Sequence, residues 1–176
     1  MHVLTRLFAM TLFAASLFGC ASKYTEMDTV EYVDIDRFMG PWYVIANIPT
    51  FLERDAYNAV ENYTLNADGT IATIFTFRKG SVDGQQKEYR PKGFVLDSES
   101  NALWGMRFVW PIKSDYRIVY VADDYSTTIV ARQDRDFVWI MARTSTVSDQ
   151  DYEQLVAFVE AIGYDVSKLK RVPQQW

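Results

Sequence analysis

The chain has 176 residues, 49% apolar and 15% aromatic, with a formal net charge of −5. That length supports one sizeable core, and the acidic balance argues against nucleic acid as a partner, which calls for a basic field. The one histidine is His2 and the one cysteine Cys20. Everything after residue 20 therefore lacks imidazole and thiol, which excludes Ser-His-Asp and Cys-His catalysis, His- or Cys-ligated zinc and an intramolecular disulfide. No cofactor is expected.

Residues 1–19 carry Arg6, an apolar run from Leu7 to Phe18, and Gly19. This is the charged start, apolar middle and small-residue end of an export signal, and it is too short to span a bilayer comfortably. Leu17-Phe18-Gly19-Cys20 resembles the bacterial lipobox, although Phe18 is bulkier than the residue usual there. The resemblance implies lipid modification of Cys20 and an outer-membrane anchor on the periplasmic face, since no aspartate follows the cysteine. The alternative is an ordinary signal peptide with an incidental cysteine. Residues 20–34 are then an acylated cysteine and a tether, and 35–176 the folded domain.

Alternation of apolar residues begins after Gly40-Pro41 and predicts eight strands, at about 42–48, 57–66, 70–78, 87–96, 103–109, 115–122, 126–132 and 137–143. Ala67-Asp68-Gly69-Thr70 is a hairpin turn and Val82-Asp83-Gly84-Gln85 a turn in a longer loop. One helix follows. Ser148 caps it, Asp149 and Asp151 lie where the dipole favours acids, and Tyr152, Leu155, Val156, Val159 and Ile162 form one apolar face that ends at Gly163.

Eight short-looped strands and one helix fit an all-β, up-and-down antiparallel barrel with the helix packed outside. Alternating strand direction then brings the first strand's start and the last strand's end together. Trp42 and Arg143 meet there, guanidinium over indole. Gly40-Pro41-Trp42-Tyr43 resembles the Gly-x-Trp motif of lipocalins, Asp124-Tyr125 their second motif and Arg143 their third. The segments 134–144 and 163–169 are similar to bacterial lipocalins, and the likeness covers about residues 34–173. With the lipobox, it points to the bacterial outer-membrane lipoprotein lipocalins, related to apolipoprotein D and plant temperature-induced lipocalins. Gly40, Trp42, Asp124, Tyr125 and Arg143 are read as structural residues that close the barrel floor.

An eight-stranded barrel can hold one small ligand. Parity from Trp42 turns Val44, Ala46 and Ile48 inward. Trp104, Met106 and Phe108, with Trp110, form an apolar face against Gly105, Arg107 and Val109. Tyr116, Ile118 and Tyr120 are the inward set of the sixth strand, and Trp139 and Met141 share parity with Arg143. In the third strand, the register implied by the resemblance selects Thr73, Phe75 and Phe77, with Ile71. The bland alternative for each is core filling, strongest near the floor. In the second strand, inward Tyr63 takes Tyr57 and Glu61 with it. Glu61 could bond to Tyr57, Tyr116 or Tyr120, could meet a polar or cationic ligand group, or, with a one-residue slip, could lie in solvent.

The rim (49–56, 78–87, 109–115 and 132–136) mixes Arg54, Arg78, Lys79, Lys87, Lys113, Arg132 and Arg135 with nearby acids, so no basic funnel is established. Phe51, Leu52 and Trp110 form an apolar lip that could touch lipid or a second copy in a homodimer. The resemblance implies a tethered, non-enzymatic carrier of fatty acids or lysophospholipids, serving the envelope. A ligand-free structural lipoprotein and a lipid-modifying enzyme are the other two classes.

Overall fold

A computed structural model describes residues 24–176; the expected leader and Cys20 lie outside the described residues. The chain forms one antiparallel sheet of ten strands: β1 (Gly40–Ile48), β2 (Ala56–Leu65), β3 (Thr70–Lys79), β4 (Gln86–Tyr89), β5 (Lys92–Val95), β6 (Leu103–Val109), β7 (Ile112–Val121), β8 (Thr127–Ala131), β9 (Val138–Ala142) and β10 (Lys170–Arg171). β4 and β5 are one predicted strand, interrupted at Arg90-Pro91, where proline removes a ladder donor. β1 pairs with both β2 and β9, so the sheet closes into an eight-stranded barrel, and β10 adds to β1. β5 pairs with β6, but β4 pairs with β3 alone, so no ladder joins β4 to β6 near the mouth.

α2 (Asp149–Ala161) lies outside, as its apolar face requires. Ser148 caps it, its hydroxyl accepting from Asp151 N at 3.1 Å. The helix ends at Ala161 with Ile162 as its cap, one residue before the expected Gly163, which follows at φ +95°, a left-handed angle that glycine takes without strain. Leu155 and Val159 pack on Ile45, Ile129 and Ile140, forming a second apolar layer against the barrel wall.

Two features depart from the expected organisation. The stretch read as tether is packed against the barrel from Met27 onward. Met27 and Val33 are buried, and the Val30 and Val33 amides donate to the Ile118 and Ser100 carbonyls. A four-residue helix, α1 (Ile35–Phe38), follows; Asp34 caps it and it drives Phe38 into the floor.

The floor joins all three motifs. Arg143 lies over the Trp42 ring at 3.7 Å, and its two terminal nitrogens donate to the Pro41 and Arg37 carbonyls at 2.9 and 2.6 Å. Trp42 Nε1 donates to the Phe38 carbonyl at 2.8 Å. Gly40 adopts φ +90°, and a Cβ there would sit 3.5 Å from the Arg143 guanidinium. Asp124 accepts from the Ser126 amide, while Tyr125 Oη accepts from the Asp34 amide at 2.8 Å, tying the entering chain to the β7–β8 turn.

Trp42→Ala is expected to cost roughly 3–5 kcal/mol as a large core truncation. Arg143→Ala should cost less, and the double variant should lose less than the sum of the two, because the residues share one contact. Denaturant unfolding of the four proteins in the cycle checks this; strict additivity would mean that the stacking contributes nothing.

Candidate functional site

Within the barrel the lower half is filled and the upper half is hollow. Phe38, Trp42, Tyr63 and Trp104 interlock above the floor, with ring centroids 5.1–5.8 Å apart in the contacts Phe38 makes with the other three. Tyr116 stacks on Trp104 at 5.5 Å and Trp139 lies 6.4 Å beyond Tyr116, so an aromatic column rises into the cavity. Above it is a hollow of about 290 Å³ lined by Glu53, Glu61, Phe75, Met106, Phe108, Tyr116, Phe137 and Trp139, among others. Thr50, Phe51 and Leu52 from the β1–β2 loop, Val109 at the end of β6, and Arg132 after β8 form its mouth.

Of the predicted interior set, Glu61, Phe75, Met106, Phe108, Tyr116 and Trp139 line this hollow. Val44, Tyr63, Phe77, Trp104, Ile118 and Met141 point inward but are packed into the interior cluster without lining it. Thr73 is buried and its hydroxyl has no hydrogen-bond partner among the described residues.

Five residues expected inside face elsewhere, four of them because a bulge breaks the strand's parity. A bulge in β1 between Val44 and Ala46 shifts parity by one, turning Ala46 and Ile48 toward α2 and leaving Asn47 buried with its amide nitrogen unpaired among the described residues. A bulge in β7 between Ile118 and Tyr120 sends Tyr120 out against Phe158, with ring centroids 5.5 Å apart. A bulge in β2 after Tyr57, with Asn58 at φ 49°, leaves Tyr57 on an outer hollow beside Lys170 and Arg171. Trp110, expected on the inward face of β6, lies beyond the strand and is 78% exposed.

The cavity contains two buried carboxyls. Glu53, 4% exposed, accepts from the Thr50 amide and from Trp139 Nε1, both at 3.1 Å. Burial raises its pKa, and those bonds oppose the rise. Its Thr50-x-x-Glu53 spacing is the sequence signal for a locally capped turn; in the linear reading Glu53 counted only as a rim acid. Glu61, 8% exposed, accepts from the Tyr63 hydroxyl, which in turn shares a 2.5 Å hydrogen bond with Tyr116. Glu61 thus faces inward, and its direct partner is Tyr63, not the expected Tyr57, Tyr116 or Tyr120. Desolvation pushes its pKa up to about 7, against the lowering effect of the Tyr63 bond and with a smaller push from Glu53. Tyr63 and Tyr116 are raised well above 10 by burial and stay protonated.

Among the rim cations only Arg132 lines the cavity, and it pairs with Asp136 at 3.1 Å. Arg135 instead bonds the Thr25, Gln133 and Ile162 carbonyls, fastening the N-terminal segment and the end of α2. A hollow of about 460 Å³ lies between Tyr24–Thr29 and the end of α2, and shares no lining residue with the barrel cavity.

Because the folded state holds a proton on Glu61 that the unfolded chain releases near 4.5, its contribution to stability is full below pH 4.5 and falls as pH rises toward about 7. The loss approaches roughly 3 kcal/mol, and Glu53 adds a slope of the same sign. Glu61→Gln should flatten most of that slope and raise stability at pH 7, as measured by urea unfolding between pH 4 and 8. An unchanged slope would mean that Glu61 titrates normally.

Residues 33–174 match the family model described as a Lipocalin-like domain. The chain is 31% identical to temperature-induced lipocalin-1 of Arabidopsis thaliana over 161 residues, covering 85% of this chain and 83% of that one. It is 30% identical to the outer membrane lipoprotein Blc of Escherichia coli over 147 residues, covering 82% and 81%. Insecticyanin from the tobacco hornworm Manduca sexta superposes with a TM-score of 0.66 at 14% identity, over 84% of each chain.

Proposed function

The chain belongs to the lipocalin family, and on that premise we propose that it is a non-enzymatic lipid carrier of the bacterial envelope. It is anchored to the outer membrane through acylated Cys20, faces the periplasm, and takes up fatty acids or lysophospholipids for membrane maintenance. The observation that carries this reading is the apolar hollow of about 290 Å³, with Phe75, Met106, Phe108 and Trp139 in its wall and a mouth opposite the sealed floor. That volume is at the lower end of ligand cavities, which run from roughly 300 to 1,000 Å³. A long chain is therefore held only in part, and the remainder rests on the exposed lip of Phe51, Val109, Trp110 and Ile112.

The relatives named outer membrane lipoproteins support the location, and the lipobox-like Leu17-Phe18-Gly19-Cys20 supports the anchor. Two or three acyl chains hold a protein to a bilayer far better than one. The filled lower barrel favours a second reading, a ligand-free structural lipoprotein.

A chain-length titration separates the two. Affinity for fatty acids should rise by up to about 0.8 kcal/mol per buried CH₂ and level off. The plateau should come where the chain meets Tyr116 and Glu61, well short of Trp42, since the aromatic plug intervenes. Met106→Asp, which puts an unpaired carboxylate in the wall, should weaken binding far more than Arg107→Asp on the outer face. A folded, monodisperse protein with no saturable binding of dodecanoic to octadecanoic acids or lysophospholipids would favour the structural role.

The anchor has its own test. Cys20→Ser should abolish palmitate labelling and release the protein from the outer-membrane fraction. A wild-type protein that never labels would refute the anchor and leave the carrier activity standing.

A further inference from the structure

The innermost group of the hollow is a carboxyl. Glu61 sits where the packed floor gives way to the cavity, opposite Trp42 on β1 and Phe75 on β3. Its Oε2 accepts from Tyr63, and with Glu61 ionised Tyr116 is the donor to Tyr63, so the two hydroxyls hold the carboxylate in one orientation. The hydrogen bond that Glu61 makes among the described residues is through Oε2, and the side chain lines the cavity, onto which Oε1 is left to open. A carboxyl oxygen left without a partner in an apolar hollow is costly, and the barrel's packing does not require one there.

The surrounding charges select the sign of the missing partner. Glu53 from the β1–β2 loop and Asp115 from β7 also line the cavity; of the cations near it, Arg117 pairs with Asp115 and Arg132, at the mouth, pairs through one terminal nitrogen with Asp136, each at 3.1 Å, while Arg132 Nε has no hydrogen-bond partner among the described residues. Trp42, Phe75, Met106 and Trp139, from β1, β3, β6 and β9, bring no charge. An anion beside Glu61 would meet the like charges of Glu61 and Glu53, and the one unpaired cationic donor among the described cavity-lining residues, Arg132 Nε, lies at the mouth. An ammonium group would meet an open carboxyl oxygen among ring faces that attract cations.

We infer that Glu61, with Tyr116 and Trp139 around it, forms an inner subsite for the protonated primary amine of a long-chain amphiphile, whose chain then runs up the hollow toward Phe51 and Phe108. This rests on the lipid-binding reading and narrows its ligand class. It also reverses the orientation expected of a fatty acid, which enters tail first. Because burial lifts Glu61 to about 7 while an alkylamine, like lysine, stays protonated to about 10, amine affinity should climb as pH rises through 7. Glu53, also raised by burial, titrates at the mouth and must be tested separately.

The experiment titrates dodecylamine, dodecanol and dodecanoate, below their aggregation limits, into the wild-type protein, Glu61→Gln and Glu53→Gln at pH 6 and pH 8. At pH 8 the wild type should bind the amine about tenfold more tightly than the alcohol, the scale of one charge-assisted hydrogen bond. That advantage should shrink several-fold at pH 6 and fall to about parity in Glu61→Gln; thermal melts of each variant check that the fold persists. Equal binding of amine and alcohol by the wild type would overturn the subsite while leaving the lipid carrier intact. So would an advantage that survives Glu61→Gln and disappears in Glu53→Gln, which would put the amine at the mouth. Failure of all three probes to bind would overturn the carrier reading and the subsite with it.

Discussion

The barrel depends on one stacked pair. Arg143 at the end of β9 and Trp42 at the start of β1 are about a hundred residues apart in the chain, and closing a loop of that length costs entropy before any contact repays it. The guanidinium repays it several ways in one place, covering the indole face and using its terminal nitrogens on the Pro41 and Arg37 carbonyls. The stack stands at one end of the β1–β9 ladder, whose pairing removes what would otherwise be the two free edges of an open sheet, each a template for pairing with another chain. With it, one end is sealed by α1 and Phe38, and the opposite end is left open.

The interior divides at the level of Glu61. Below it, Phe38, Trp42, Tyr63 and Trp104 behave as a core; above it, side chains line space. A polar cluster at that boundary specifies register more strongly than more leucine would, because a one-residue slip of β2 would reverse which residues face the interior. The cluster costs stability at neutral pH, through the desolvation that raises Glu61. A structure that keeps such a group at the base of a hollow departs from what packing alone would select, and departures of that kind concentrate at sites of function.

Much of the architecture was legible in the chain. Period-two alternation, the Gly-x-Trp turn and the Ser148 cap located the strands, the floor and the helix, because each is a local signal with a direct physical cause. Parity failed where it assumed unbroken strands. Bulges in β1, β2 and β7 moved Ala46, Ile48, Tyr57 and Tyr120 off the inner face. Alternation could not reveal the first of these, because α2 makes both faces of β1 apolar: Val44 faces the interior while Ile45, Ala46 and Ile48 face the helix. The floor plug was missed as well, since four residues of helix carry no periodicity and Asp34 was its sole sequence mark.

The interruption at Arg90-Pro91 gives the molecule two unlike flanks. On the α2 side the wall is two layers thick and joined by continuous ladders through β7, β8, β9 and β1. On the far side β4 hangs from β3 alone, and at the mouth nothing ties it to β6, where Phe108 stands at the edge of the cavity. The container is thus a spring clip, rigid along its spine and slit down one lip. A guest wider than the resting bore would part β4 from β6 without breaking a ladder bond, since no ladder joins them.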